Sequence, residues 1–263
     1  MEKNAQMTIT VPVHKNKLLE KIVDSVNANR ELATLWKMNN VVAIERLGYS
    51  DHGFTHFQIV ANIALRIARM LVQNGVEMSI VKNYDFSNDY AEVVIFLASV
   101  MHDIGMSINR DGHEELGLFM ARDIMKDVLS FMSIEDRTIV TGEVLHAILS
   151  HRSDGRPITV EAGIVRIADA LDITQGRSRI PFEAGKVNIH SISAYAIDKV
   201  EITKGEEKPI QIDILMNNSS GLFQVDELLK KKLANSGIEQ YFEIMAYTAG
   251  DNEKNLIKEF HLQ

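Results

Sequence analysis

Over the first two thirds of the chain, apolar residues recur at helical spacing. Leu18, Leu19, Ile22, Val23 and Val26 fall at i, i+1, i+4, i+5 and i+8, which predicts an amphipathic helix. A second helix is expected from Arg30 to about Leu47, broken by Gly48 and the polar run Ser50-Asp51-His52-Gly53. The segment from Thr55 to about Val72 carries Val60, Ile63, Ile67 and Leu71 on one face, and His56 falls on that same inward face. Three later helix starts read as capping boxes: Asp89 with Glu92, Asp111 with Glu114, and Ser133 with Asp136. The first opens an apolar helix that ends at His102. The second opens a helix with His113 in its first turn and Leu116, Phe119 and Met120 as its apolar face. The third runs to about Ser150, with His151 at its end. Thr159 caps a last helix, from Val160 to about Ile173, that carries Asp169 and Asp172.

After Pro181 the period changes from helical to two. Ile210, Ile212, Ile214 and Met216 alternate as in a strand; Ala194 to Thr203 and Tyr241 to Tyr247 also read as strands, and Val225 to Leu233 reads as a helix. Residues 7–13 alternate as a short edge strand or an extended arm. The expected fold is therefore mainly α. It has a helical body over residues 1–185 and a small α+β unit of β-β-α-β order over residues 186–263.

Composition narrows the chemistry. The chain has 263 residues, 46% of them apolar and 24% charged, so it can bury a sizeable core. It has no cysteine, which excludes disulfides, thiolate metal sites and a cysteine nucleophile; a metal must be held by His, Asp or Glu. The residues Met1 to Gln6 form no signal core and no apolar run has membrane-spanning length, so a soluble, cytoplasmic protein with no membrane partner is expected. A formal charge of −8 argues against broad nucleic-acid binding. The one dense basic patch, Lys230-Lys231-Lys232, reads as a solvated helix face.

The apolar run Val93 to Met101 ends in an imidazole and a carboxylate side by side, His102-Asp103, with Gly105 close behind. Burying such a pair is costly unless something compensates it, and a divalent cation is one such partner. The other candidate ligands, His56, His113, His151 and Asp169, each fall at a helix end or on an inward face. His146 lies about 140° around the helix from His151 and reads as structural. His52 reads as a pocket-rim or loop residue, and Asp172 as a residue that orients a ligand or pairs two helices.

The order His56, His102-Asp103, Asp169 resembles the HD-domain superfamily of metal-dependent phosphohydrolases. Local detail agrees: His52-Gly53-Phe54-Thr55-His56, then His102-Asp103-Ile104-Gly105, then Ala168-Asp169-Ala170-Leu171-Asp172. The resemblance implies that His56, His102, Asp103 and Asp169 hold one metal. His113 and His151 match the extra histidines of members with two metals, a six-ligand form similar to the catalytic domain of ribonuclease Y. Asp103 would then bridge one or two divalent ions (Mn, Fe, Co, Ni or Mg), and a metal-activated water would attack phosphorus.

Many diesterases of the superfamily carry a lysine where this chain has Met106. Arg110, Arg152, Arg156, Arg177 and Arg179 are the available replacements, and Arg177 is the expected catalytic phosphate contact. The implied substrate is a small phosphate ester, of a nucleotide or a short RNA end. The alternative function is a nucleotide sensor with little or no turnover, whose C-terminal unit forms a homodimer or recruits a partner.

Overall fold

The computed structural model describes residues 7–152, 154–173, 193–248 and 259–262. Their chain order begins with α1 (Lys17–Ala28) and α2 (Arg30–Asn40), which passes into a π-helical stretch, Val41–Leu47. Next come α3 (Phe54–Gln73), α4 (Ser79–Tyr84), α5 (Asn88–Met101), a 3-10 turn (Ile104–Ser107), α6 (His113–Val128), α7 (Ile134–Ser150) and α8 (Val160–Leu171). The C-terminal part holds β1 (Ile197–Lys204), β2 (Ile210–Met216), β3 (Phe242–Thr248) and β4 (Glu259–Leu262). The expected class, a helical body with a small α+β appendage, is what folds. The expected boundary near residue 185 lies outside the described residues.

α5 is the central element. It is buried on all sides from Val93 to Met101, and α3, α7 and α8 pack around it. Its continuous apolar sequence follows from that position, because a helix surrounded by helices has no polar face. Asn88–Ser107 is the one stretch among the described residues long and apolar enough to cross a membrane, and most of it lies inside the fold.

Two of the expected caps form: the Ser133 hydroxyl accepts from the Asp136 N–H, and the Thr159 hydroxyl from Ala162. The other two do not. α5 starts one residue before Asp89, and Glu92 instead accepts from Arg69 and Asn16. α6 is preceded by Gly112 in the left-handed region, φ 71°, so Asp111 stands outside the capping position.

The expected apolar face of α6 is corrected at Phe119, which is 73% exposed; Met120 packs against the core, and the buried residues are His113, Glu114, Gly117, Ala121, Ile124, Met125 and Val128. The cause is a backbone contact. A Cβ at Gly105 would come within 2.0 Å of the His113 carbonyl and 2.6 Å of the Gly117 nitrogen. Two glycines let α6 lie directly on the turn after His102-Asp103, and that contact sets the rotation of the helix.

The N-terminal segment is an extended arm rather than a strand. Side-chain amides replace a sheet partner: Asn27 pairs with the Ile9 backbone, and Gln58 and Asn62 with that of Thr10. The sheet has order β1-β2-β3-β4, antiparallel except for the parallel β2–β3 pair, in which Ile212 is opposite Ile244. A parallel pair needs a crossover. Here it runs through the π-helical Gln224–Lys230 and the helical turn Lys231–Ala234. β4 is a strand the sequence reading did not expect. Inward residues of the sheet (Ile202, Ile212, Ile244) join the same hydrophobic cluster as the helices.

Candidate metal centre

Six side chains from five separate places converge: His56 near the start of α3, His102 and Asp103 at the end of α5, His113 at the start of α6, His151 at the end of α7, and Asp169 in α8. All six are buried. Asp103 is the hub. Its Oδ2 lies 3.4 Å from His102 Nε2 and 3.7 Å from His56 Nε2, while its Oδ1 lies 2.9 Å from His113 Nε2 and 3.3 Å from His151 Nε2. Asp169 Oδ1 joins the first group, 3.3 Å from His56 Nε2 and 3.7 Å from His102 Nε2.

The local chain explains why the imidazoles point inward as they do. Helix C-termini leave carbonyls without intrahelical partners. At the end of α5, His102 Nδ1 donates to the Ser99 carbonyl at 2.9 Å and Trp36 Nε1 to that of Val100 at 2.9 Å. The Asn39 amide donates to the Asp103 carbonyl at 2.9 Å. At the end of α7, His151 Nδ1 donates to the Ile148 carbonyl at 2.6 Å. His113 Nδ1 donates to the Arg110 carbonyl at 2.8 Å, and His56 Nδ1 to the Asp172 carboxylate at 2.6 Å. A carbonyl oxygen only accepts, so Nδ1 carries the proton on these rings and each neutral imidazole presents a bare Nε2 lone pair.

This arrangement is repulsive without a cation. His56 and His102 bring their Nε2 atoms to 3.1 Å, and His113 and His151 bring theirs to 3.3 Å, with carboxylate oxygens beside each pair. Burial would lower the His102 pKa, but the carboxylates of Asp103 and Asp169 outweigh burial and push it up to about 10. In the absence of metal, a proton supplies the missing positive charge. Burial also opposes the charged form of Asp103 and Asp169, yet both stay well below the usual carboxylate range, through His102 for Asp103 and through Lys232 foremost for Asp169. His151, desolvated, drops to about 4 and remains neutral.

Imidazole nitrogens with their far N–H held by a fixed acceptor, combined with carboxylates, are the donor set of a borderline divalent cation. Two such groupings share the site, His56–His102–Asp169 and His102–Asp103–His151. The residues fit a divalent metal centre.

The other candidates separate clearly. His146 Nε2 accepts from the Ile158 N–H at 3.0 Å and belongs to neither metal-binding grouping. His52 holds the Ser50 carbonyl through Nδ1 at 2.7 Å, with its ring 5.8 Å from that of His56. Met106 is fully buried. Arg110 Nη1 stands 3.4 Å from His113 Nδ1, Arg152 pairs with Glu114 at 2.9 Å, and Arg156 is exposed. Arg177 and Arg179 lie outside the described residues.

Lys232 is the residue the sequence reading missed. Instead of standing in a solvated face, its ammonium pairs with Asp169 Oδ2. Its spacing carried the signal. Lys232 is i+7 from Val225, on the stripe that Leu229 and Leu233 also occupy, and Val225, Leu229 and Leu233 are buried.

The sequence pattern of the HD domain matches residues 53–174, the span that holds all six converging side chains. Over 239 residues the chain is 41% identical to an uncharacterized protein, MJ1020, of Methanocaldococcus jannaschii, covering 90% of this chain and 92% of that one. No solved structure matches the chain. The chain belongs to the HD-domain family, whose members are generally metal-dependent hydrolases.

Proposed function

We propose that this protein is a phosphohydrolase with a two-ion centre, cleaving a phosphomonoester or phosphodiester of a nucleotide or short oligonucleotide. The observation that carries the reading is the division of the Asp103 carboxylate, one oxygen facing His56 and His102 and the other facing His113 and His151. His56, His102, Asp103 and Asp169 would hold one ion, and Asp103, His113 and His151 the other. Divalent ions so placed acidify water and stabilise charge on phosphoryl oxygens.

The protein's own contribution is a fixed frame. Asn39 bonds the Asp103 backbone, Trp36 holds the carbonyl of Val100 two residues before His102, and Asp172 keeps the His56 Nδ1 proton in place. Frames of this kind hold ligands in one orientation, so that little reorganisation remains for the reaction. The net charge of −8 favours a small substrate over a long nucleic acid.

The test is a screen of phosphate esters with added Mn, Fe, Co, Ni or Mg. Hydrolysis that needs the ion and stops with a chelator is expected. Absence of both metal uptake and turnover overturns the reading, and tight nucleotide binding without turnover would favour the sensor alternative.

A further inference from the structure

Lys232 enters the centre from the C-terminal crossover, and its side chain is only 16% exposed. It pairs with Asp169 through Oδ2, whereas Asp169 Oδ1 is the atom facing His56 and His102. The ammonium therefore stands beside the imidazole cluster without taking its place on the carboxylate. An ammonium has three N–H donors. Among the described residues Lys232 spends one, on Asp169.

The segment that carries it is pinned to the helical body. The buried Arg166 donates through Nε to the Lys232 carbonyl at 2.8 Å, and through Nη1 to the carbonyls of Ser150 at 3.2 Å and Gly155 at 3.0 Å. One guanidinium thus joins the backbone of Lys232 to the end of the helix that delivers His151. Four residues further on, Ser236 lies so close to α8 that a Cβ at Gly163 would come within 2.5 Å of its carbonyl. The ammonium is held at the wall of the centre by backbone contacts on both sides. Beside the imidazoles and the carboxylates of Asp103 and Asp169, Lys232 presents an arriving phosphoryl anion with a fixed, partly desolvated cation. At low local dielectric such a charge attracts an anion more strongly than a surface lysine does.

We propose that Lys232 is a substrate-contacting residue that binds a phosphoryl oxygen, contributed to the helical site by the C-terminal unit. The proposal rests on the phosphohydrolase reading and adds the group that receives the phosphate.

The test uses full-length protein loaded with Mn and inorganic phosphate as the probe. Phosphate affinity is read by calorimetry, metal content by mass spectrometry, and folding by circular dichroism and melting. Lys232→Ala is expected to weaken phosphate binding about 10- to 100-fold, the loss of one charge-assisted hydrogen bond, with metal content unchanged. Lys232→Arg should recover part of the affinity, because the charge remains. Lys232→Met keeps the packed stem and replaces the alanine variant if that one fails to fold.

Wild-type phosphate affinity in the alanine or methionine variant, with metal in place, overturns the proposal. So does loss of metal from the variant, because Lys232 would then act through Asp169 alone. A wild-type protein that takes up no metal overturns the phosphohydrolase reading and this proposal with it, which separates the two failures.

Discussion

His56 donates its Nδ1–H to the Asp172 carboxylate across 2.6 Å, so a residue three positions beyond Asp169 determines which nitrogen of His56 faces the centre. Replacing Asp172 with Asn removes a charged acceptor and lets the opposite tautomer compete. Metal affinity should fall about 10- to 100-fold while the fold is kept. Competition with a chelator reads this directly, and unchanged affinity would show that Asp172 only pairs α3 with α8.

Gly105→Ala tests the contact that orients α6. The added methyl would meet the His113 carbonyl at 2.0 Å, and backbone cannot swing aside as a flexible side chain can. A loss of roughly 1–3 kcal/mol is expected, together with weaker metal binding at the proposed ion site of Asp103, His113 and His151. Thermal melting and metal titration measure the two effects. A wild-type melting temperature would contradict the account of why Phe119 faces solvent.

Loading metal should release protons. The His102 pKa of about 10 means the metal-free protein carries a proton on that ring at neutral pH, and ligation requires the ring to be neutral. Calorimetry in buffers of different ionisation enthalpy should find about one proton released per chain at about pH 7, and tighter binding as pH rises. The sign for stability follows. A pKa raised above the unfolded value of about 6.5 stabilises the metal-free fold fully below that value, and this stabilisation is lost as pH rises through about 10. Metal binding without proton release would show that His102 is already neutral in the metal-free protein.

Arg166→Leu would leave the carbonyls of Lys232, Ser150 and Gly155 without their buried donor. Each orphaned group costs about 1–3 kcal/mol, so the variant should unfold at markedly lower denaturant concentration. A midpoint shift too small to match even one lost bond would show that solvent reaches these carbonyls.

Much of the site was legible from residue order because its candidate ligands lie at helix ends and inward faces, which helical periodicity locates. His56, in line with Val60 and Ile63, points inward on helical spacing alone. The caps at Ser133 and Thr159 were legible for the same local reason. What the sequence did not show depends on contacts between distant segments. Asp89 and Asp111 have capping chemistry, but Arg69 and Asn16 claim Glu92, and Gly112 takes the position before α6. The α6 face was misread because the backbone approach of Gly105 to Gly117 outranks the apolarity of Phe119. Lys232 was read as solvent-facing because a lysine triplet has that bias, and only the fold brings Asp169 within its reach.

In the proposed function Asp103 would hold two ions, one through each carboxylate oxygen. The most direct test is the metal content of Mn-loaded wild type and Asp103→Ala after exhaustive desalting, by mass spectrometry. About two equivalents per chain in the wild type are predicted, with most of that lost from a variant that keeps its helical circular dichroism. Full metal retention by Asp103→Ala, or a wild type that binds none, would contradict the account.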